Sequence, residues 1–242
     1  MMKPTIARKE QVSAMFNNIA KKYDFLNHFL SAGIDRLWRR KLVARLLREK
    51  PNLVLDVATG TGDLAIELAK RSRACITGVD IAQAMLDIGK TKIEKRGLEK
   101  QISLQWADSE ALPFDSETFD AAMVAFGVRN FEDLHQGLSE ICRVLKNGGT
   151  VAVLEFSRPK AFPFKQLYDF YFKNILPLMG RMVSKDPSAY SYLPESVYHF
   201  PDGQAFLDHL KQAGFDQTEQ KRLSLGIATL YTAKKVSDTI RA

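Results

Sequence analysis

An apolar run that breaks into a glycine loop limits the folds open to this chain more than any other feature. Leu53-Val54-Leu55-Asp56-Val57 reads as a buried strand and runs directly into Ala58-Thr59-Gly60-Thr61-Gly62-Asp63. Helical spacing follows over 63–71. A strand, a tight turn and a helix pack well when a second, parallel strand brings the chain back across the sheet. Cys75 to Asp80 supplies that strand, followed by a helix over 82–96 ended by Gly97. Ile102–Trp106 reads as a third strand and Phe119–Phe126 as a fourth. A helix over 131–145, stopped by Asn147-Gly148-Gly149, precedes a fifth strand, Thr150–Phe156. A helix over 204–213, capped by Gly214, and strands over 215–222 and 227–234 complete the pattern, leaving 235–242 as a tail. Such alternation predicts an α/β domain built on a mostly parallel sheet.

The glycine loop points to a nucleoside ligand. Gly60 and Gly62 let the backbone turn sharply and a ligand approach it. Asp80 ends the next strand, 18 residues past Gly62, where a carboxylate can accept bonds from both ribose hydroxyls. Asp108-Ser109, past the third strand, can meet the adenine. The spacing Gly60-x-Gly62-x-x-Ala65 also satisfies the dinucleotide fingerprint. Charge separates the two readings. Asp56 before the loop would repel a pyrophosphate, and Asp63 stands where a phosphate would prefer bare N–H groups. A carboxylate suits a cationic sulfonium and ammonium, so the expected ligand is S-adenosylmethionine.

Composition narrows the setting. No apolar run reaches the ~18 residues of a membrane span. Met1 to Glu10 lacks the apolar core of a secretory signal, so a cytoplasmic location is expected. Cys75 and Cys142 lie in apolar stretches and read as buried free thiols, and no metal-ligand spacing is present. The net charge of +7 is uneven. Residues 1–52 carry twelve Lys/Arg against four Asp/Glu, while the other 190 residues are nearly neutral. Two basic amphipathic helices account for this segment. The first spans 10–29, with Val12, Met15, Phe16, Ile19, Tyr23 and Leu26 on one face; the second spans 35–49, stopped by Pro51. An anionic partner is expected there, a lipid leaflet or a phosphate backbone. Residues 160–201 break the α/β rhythm and hold ten of the chain's 22 Phe and Tyr residues, interrupted by Pro163, Pro177, Pro187, Pro194 and Pro201. An aromatic insertion after a strand's carboxyl end is placed to cover a ligand.

The general signature, Asp56-x-x-x-Gly60-Thr61-Gly62 with Asp80 and Ala111-Leu112-Pro113-Phe114, resembles class I methyltransferases. More specific runs narrow this: Met15–Asp24, Phe126-Gly127-Val128-Arg129-Asn130, Glu155-Phe156-Ser157-Arg158-Pro159 and Tyr192-Leu193-Pro194-Glu195-Ser196. Together they are similar to the menaquinone/ubiquinone-biosynthesis C-methyltransferases over about residues 10–234. The resemblance implies a Rossmann-like fold: a mostly parallel seven-stranded sheet, helices on both faces and an antiparallel last strand. It implies one domain over 1–242, organised as basic helices (1–50), a cofactor-binding half (53–157), an aromatic lid (160–201) and a closing helix with strands (202–234). It further implies C-methylation of a polyprenylated quinol, demethylmenaquinol to menaquinol, with donor contacts at Thr61, Asp80, Asp108 and Ser109. Ala125 stands where some relatives have Ser, and offers no side-chain bond. The residues suggest that Arg129 stabilises a phenolate and Asn130 orients it, with Tyr23, Glu155, Tyr192 and Glu195 as further substrate-side candidates. The insertion's aromatics would bind the polyprenyl tail, and the basic segment would meet anionic membrane. Competing readings are the equivalent benzoquinol step, a methyltransferase for another small molecule or nucleic acid, a dehydrogenase, and a non-catalytic adenosine-binding protein. No separate nucleic-acid module is visible, so no nucleic-acid partner is expected.

Overall fold

The computed structural model describes residues 9–31, 33–171, 174 and 188–236, with backbone alone at 21–30, 188–191 and 193. The strands are β1 (Leu53–Val57), β2 (Cys75–Asp80), β3 (Ile102–Trp106), β4 (Phe119–Ala125), β5 (Leu145–Phe156), β6 (Phe215–Leu223) and β7 (Ala228–Lys235). They form one sheet in the order β3-β2-β1-β4-β5-β7-β6. β1 to β5 pair in parallel, and β7 runs antiparallel to both β5 and β6. The expected Rossmann-like sheet with a reversed last strand is therefore present.

Period-two alternation explains how one sheet carries two cores. Leu55, Val57, Val151 and Val153 point into one, with Leu138 and Ile141 of α5 (Leu134–Val144) and Phe206 and Leu210 of α8 (Gln204–Gln212). Val54, Ile76, Ala152 and Leu154 point into the other, with Trp38 and Leu42 of α2 (Ile34–Leu46) and Leu64 and Leu68 of α3 (Asp63–Ala69). Both faces are covered, which is why the central strands read as nearly unbroken apolar runs.

The first helix, α1 (Lys9–Leu30), lies against α4 (Gln83–Glu94). Ala82 cannot cap α4 with its side chain; Asn17 of α1 supplies the acceptor instead, its Oδ1 taking the Ala84 N–H at 2.9 Å. The N-terminal basic charge is partly consumed inside the fold. Arg39 pairs with buried Asp35, and Arg45 pairs with Glu49 at 2.8 Å.

Several local expectations need correction. The helix expected over 131–145 is α5, which starts late, at Leu134, because Asp133 caps it by accepting the Gln136 N–H at 2.9 Å; a 3-10 turn, Val128–Asn130, precedes it. Asn147-Gly148-Gly149 does not stop that helix. β5 begins at Leu145, and the three residues form an excursion where the register against β4 jumps. Gly148 takes φ 73, and a Cβ on Gly149 would stand 2.7 Å from the Lys146 carbonyl. Cys142 is buried, but Cys75 is exposed at the start of β2. Pro194, expected to interrupt the aromatic segment, lies inside α7 (Ser188–His199). Phe172, Pro177 and Pro187 fall outside the described residues.

Candidate active site

The strand order reverses direction between β1 and β4, and α/β sheets bind ligands outside the carboxyl ends of strands at such a point. A cleft of about 660 Å³, including its open mouth, lies there. Ala58 and Gly60 line it after β1, Asp80 and Ile81 after β2, Asp108, Ser109 and Glu110 after β3, and Ala125, Phe126, Gly127 and Asn130 after β4. Lys9, Val12 and Phe16 of α1 form its remaining wall.

Backbone geometry shapes the floor. Ala58, Gly60 and Gly62 all take positive φ, at 53, 57 and 78. Gly60 also has open space within 4 Å of where a Cβ would stand, so a ligand can lie against bare main chain. Asp80 holds the loop by accepting the Gly60 N–H at 2.8 Å and the Ala82 N–H at 2.9 Å. Burial raises its pKa, and those backbone bonds oppose the rise.

The predicted donor-side residues divide. Gly60, Asp80, Asp108 and Ser109 line the cleft, as does Ala125. Asp56, Thr61 and Gly62 do not. Asp56 is 1% exposed and accepts the Thr59 hydroxyl at 2.6 Å, so it braces the loop from behind. Thr61 is buried and accepts from Lys92 Nζ at 3.0 Å, and Lys92 also pairs with Asp63. These groups shape the loop from its far side.

Among the described residues, only Asn130 of the predicted substrate-side set lines the cleft, with Arg129, Glu155 and Tyr192 gathered around it. Arg129 Nη1 lies 2.6 Å from Glu155 Oε1 and 2.6 Å from the Phe126 carbonyl, and its Nε donates to Ser196 Oγ at 3.3 Å. The guanidinium also stands 5.5 Å from the centre of the Phe156 ring. Tyr192 donates its hydroxyl to Asn130 Oδ1 at 2.9 Å. Asn130 therefore joins the cleft to an Arg129–Glu155–Tyr192 cluster. Burial raises the pKa of Glu155 against the pull of Arg129, and burial also raises that of Tyr192. Glu195 is exposed and away from the cleft. The side chain of Tyr23 lies outside the described residues.

Sequence reasoning missed Lys9. Its ammonium bridges Asp108 Oδ2 at 2.6 Å and Glu110 Oε2 at 2.7 Å. Burial alone would lower its pKa, but the bonds to both acids raise it above the ordinary lysine value. A basic residue three positions before Val12, at the head of an amphipathic helix, was the available signal. Among the described residues no group of three or more His, Cys, Asp or Glu is placed to hold a metal ion.

The model of the ubiE/COQ5 methyltransferase family matches residues 4–235. The chain belongs to that family. The methyltransferase is 48% identical to a demethylmenaquinone methyltransferase of Bacteroides fragilis over 232 residues, 94% of each chain. It is 47% identical to the ubiquinone/menaquinone biosynthesis C-methyltransferase UbiE of Geotalea daltonii, over 93% of this chain and 97% of that one. Among solved structures, an SAM-dependent methyltransferase of Thermotoga maritima superposes with a TM-score of 0.64 at 20% identity, over 92% of this chain and 99% of that one. This last likeness concerns the fold alone. Among the described residues, no helix of the methyltransferase is long and apolar enough to cross a membrane.

Proposed function

We propose that this methyltransferase uses S-adenosylmethionine to methylate a ring carbon of a polyprenylated quinol, converting demethylmenaquinol to menaquinol. One observation carries the reading: Asn130 borders the cleft beneath the glycine loop and also accepts from Tyr192 beside the buried Arg129–Glu155 pair. A donor cleft and a polar acceptor cluster thus share a wall.

The residues fit the donor. Gly60 leaves main chain open to it, Asp80 offers a carboxylate to the ribose, and Asp108 with Ser109 borders the adenine end. When bound, the donor supplies a methyl group already activated on a cationic sulfur. The chain must therefore orient the acceptor and exclude water. A quinol carbon becomes nucleophilic as its neighbouring hydroxyl loses its proton, and a phenol ordinarily has a pKa of about 10. The guanidinium of Arg129 favours that anion electrostatically. Tyr192, its pKa raised by burial, stays protonated at neutral pH and holds Asn130 in place. Glu155, fully buried, positions Arg129 and does not open onto the cleft. α1 roofs the donor end, with Lys9 as its latch. Lys9→Met is expected to weaken donor binding roughly tenfold, the equivalent of ~1.4 kcal/mol, with Lys9→Arg restoring it. Equal affinities in all three proteins would remove the latch.

The test is incubation with methyl-labelled donor and a short-tailed demethylmenaquinol, reduced or oxidised, followed by product mass analysis. Label should enter the ring of the reduced form only. Labelling of the quinone, or of neither form, overturns the proposal. The likeness to UbiE, whose name covers both quinones, also supports a benzoquinol acceptor. Competition between the two quinols in the same assay ranks them. The polyprenyl tail would keep either substrate in lipid, and exposed Arg36, Lys41, Arg48 and Lys50 of the N-terminal segment favour an anionic leaflet.

A further inference from the structure

Among the described residues of the aromatic segment, several large apolar side chains face outward. Phe162 is 80% exposed, Leu167 62% and Phe170 59%, and Phe164 is also exposed. α6 spans Phe164–Phe170. Its residues 164, 167 and 170 fall at three-residue steps, within an arc of about 120° at 3.6 residues per turn. Lys165, Gln166 and Asp169 occupy the remainder of the helix surface. Tyr168, on the same helix, is buried, and α6 begins eight residues past Phe156, the end of β5, whose Glu155 holds Arg129. α6 therefore stands beside the acceptor cluster with large apolar side chains turned outward, which soluble surfaces seldom gather without a partner.

We infer that the outward apolar face of α6, with Phe162, seats the enzyme on an anionic lipid surface and brings the Arg129 cluster to the membrane. Charge argues for lipid: Arg158, Lys160 and Lys165 accompany the face, against Asp169 alone between 157 and 170. Aromatic and leucine side chains flanked by lysine are the makeup of a segment lying in the bilayer interface. Tyr198 of α7, 65% exposed with the Arg158 guanidinium 4.8 Å from its ring centre, extends the same chemistry. The inference rests on the quinol reading above, because a substrate anchored by its tail must be met at the bilayer.

The experiment is flotation of the full chain with phosphatidylcholine vesicles, with and without phosphatidylglycerol. Wild type should float with the anionic vesicles and far less with neutral ones. Phe162→Ser/Leu167→Ser/Phe170→Ser should lose binding at least tenfold while its melting curve stays unchanged, since all three side chains are exposed. Lys160→Glu/Lys165→Glu should lose the anionic preference and provides a second, independent variant. The triple variant should methylate a soluble short-tailed quinol normally and a vesicle-embedded long-tailed one more slowly. Equal flotation of wild type and both variants overturns the inference, as does lipid-free dimerisation abolished by the triple change. A wild-type protein that floats through α6 but methylates no quinol would uphold this lipid seat and remove the quinol reading.

Discussion

Arg129→Ala is expected to lose about 3–5 kcal/mol of folding stability and about two orders of magnitude in methyl-transfer rate. The stability loss follows from what remains behind. The Glu155 side chain has no solvent exposure and that of Arg129 only 6%. Removing the guanidinium leaves a carboxylate that must either stay charged away from water or take up a proton. Arg129 also pins the Phe126 carbonyl, and Phe126 holds the unfavourable φ of 61 beside the cleft. In a domain of this size the loss corresponds to a melting point lower by roughly 10 °C. Arg129→Ala/Glu155→Gln separates structure from chemistry. Replacing the stranded acid with an amide should recover part of the stability and none of the turnover, because the positive charge proposed to favour the phenolate is still absent. Urea denaturation and single-turnover rates of the three proteins measure both. Recovery of turnover along with stability would assign Arg129 a packing role only.

Asp56→Asn is expected to stabilise the protein at pH 8 and to leave it nearly unchanged at pH 4. Burial pushes the Asp56 carboxyl from 3.8 up to about 7, outweighing the hydrogen bond from Thr59. The folded chain therefore binds a proton between those values that the unfolded chain has released. Stability falls as pH rises from about 4 to about 7 and is flat beyond, and the full difference is on the order of 4 kcal/mol. Asparagine keeps an oxygen to accept the Thr59 hydroxyl and carries no charge, so the gap between variant and wild type should open across that window. The raised pKa of Glu155 affects both proteins alike and cancels, whereas the repulsion between Asp80 and Asp56 is removed in the variant and widens the gap in the same direction. Thermal melts at closely spaced pH values check this. A variant less stable than wild type at pH 8, or a gap independent of pH, contradicts it.

These two effects show which parts of the molecule the chain disclosed. Strands β1, β2 and β3 were legible to the residue: β1 is a buried, mostly apolar run, β2 carries its apolar residues up to a strand-end Asp80, and the edge strand β3 alternates Ile102 and Leu104 with polar Ser103 and Gln105. The ends of α5 and β5 were not. A glycine pair stops a helix or makes an excursion in a strand with equal ease, and only pairing against Phe119 and Ala121 decides between them. At the cleft, Asp80, Asp108 and Ser109 were legible as lining residues because strand ends face that edge of the sheet. Asp56 was given a ligand-facing role because its position along the chain says nothing of which side of the loop its carboxylate takes. Lys9 escaped notice because its partners, Asp108 and Glu110, lie 99 and 101 positions away. The Arg129–Glu155 and Asn130–Tyr192 pairs were visible as separate motifs, but folding alone brings them together across 26 and 62 residues.

Calorimetric titration of the folded full-length chain with S-adenosylmethionine bears most directly on the claim beneath all of this, that the cleft between Gly60, Asp80 and Asp108 is an adenosyl-sulfonium site. One saturable site per chain is predicted, shared competitively with the demethylated donor and untouched by NADH. Absence of binding heat from a sample whose melting curve shows it to be folded, or displacement by NADH, would contradict the account.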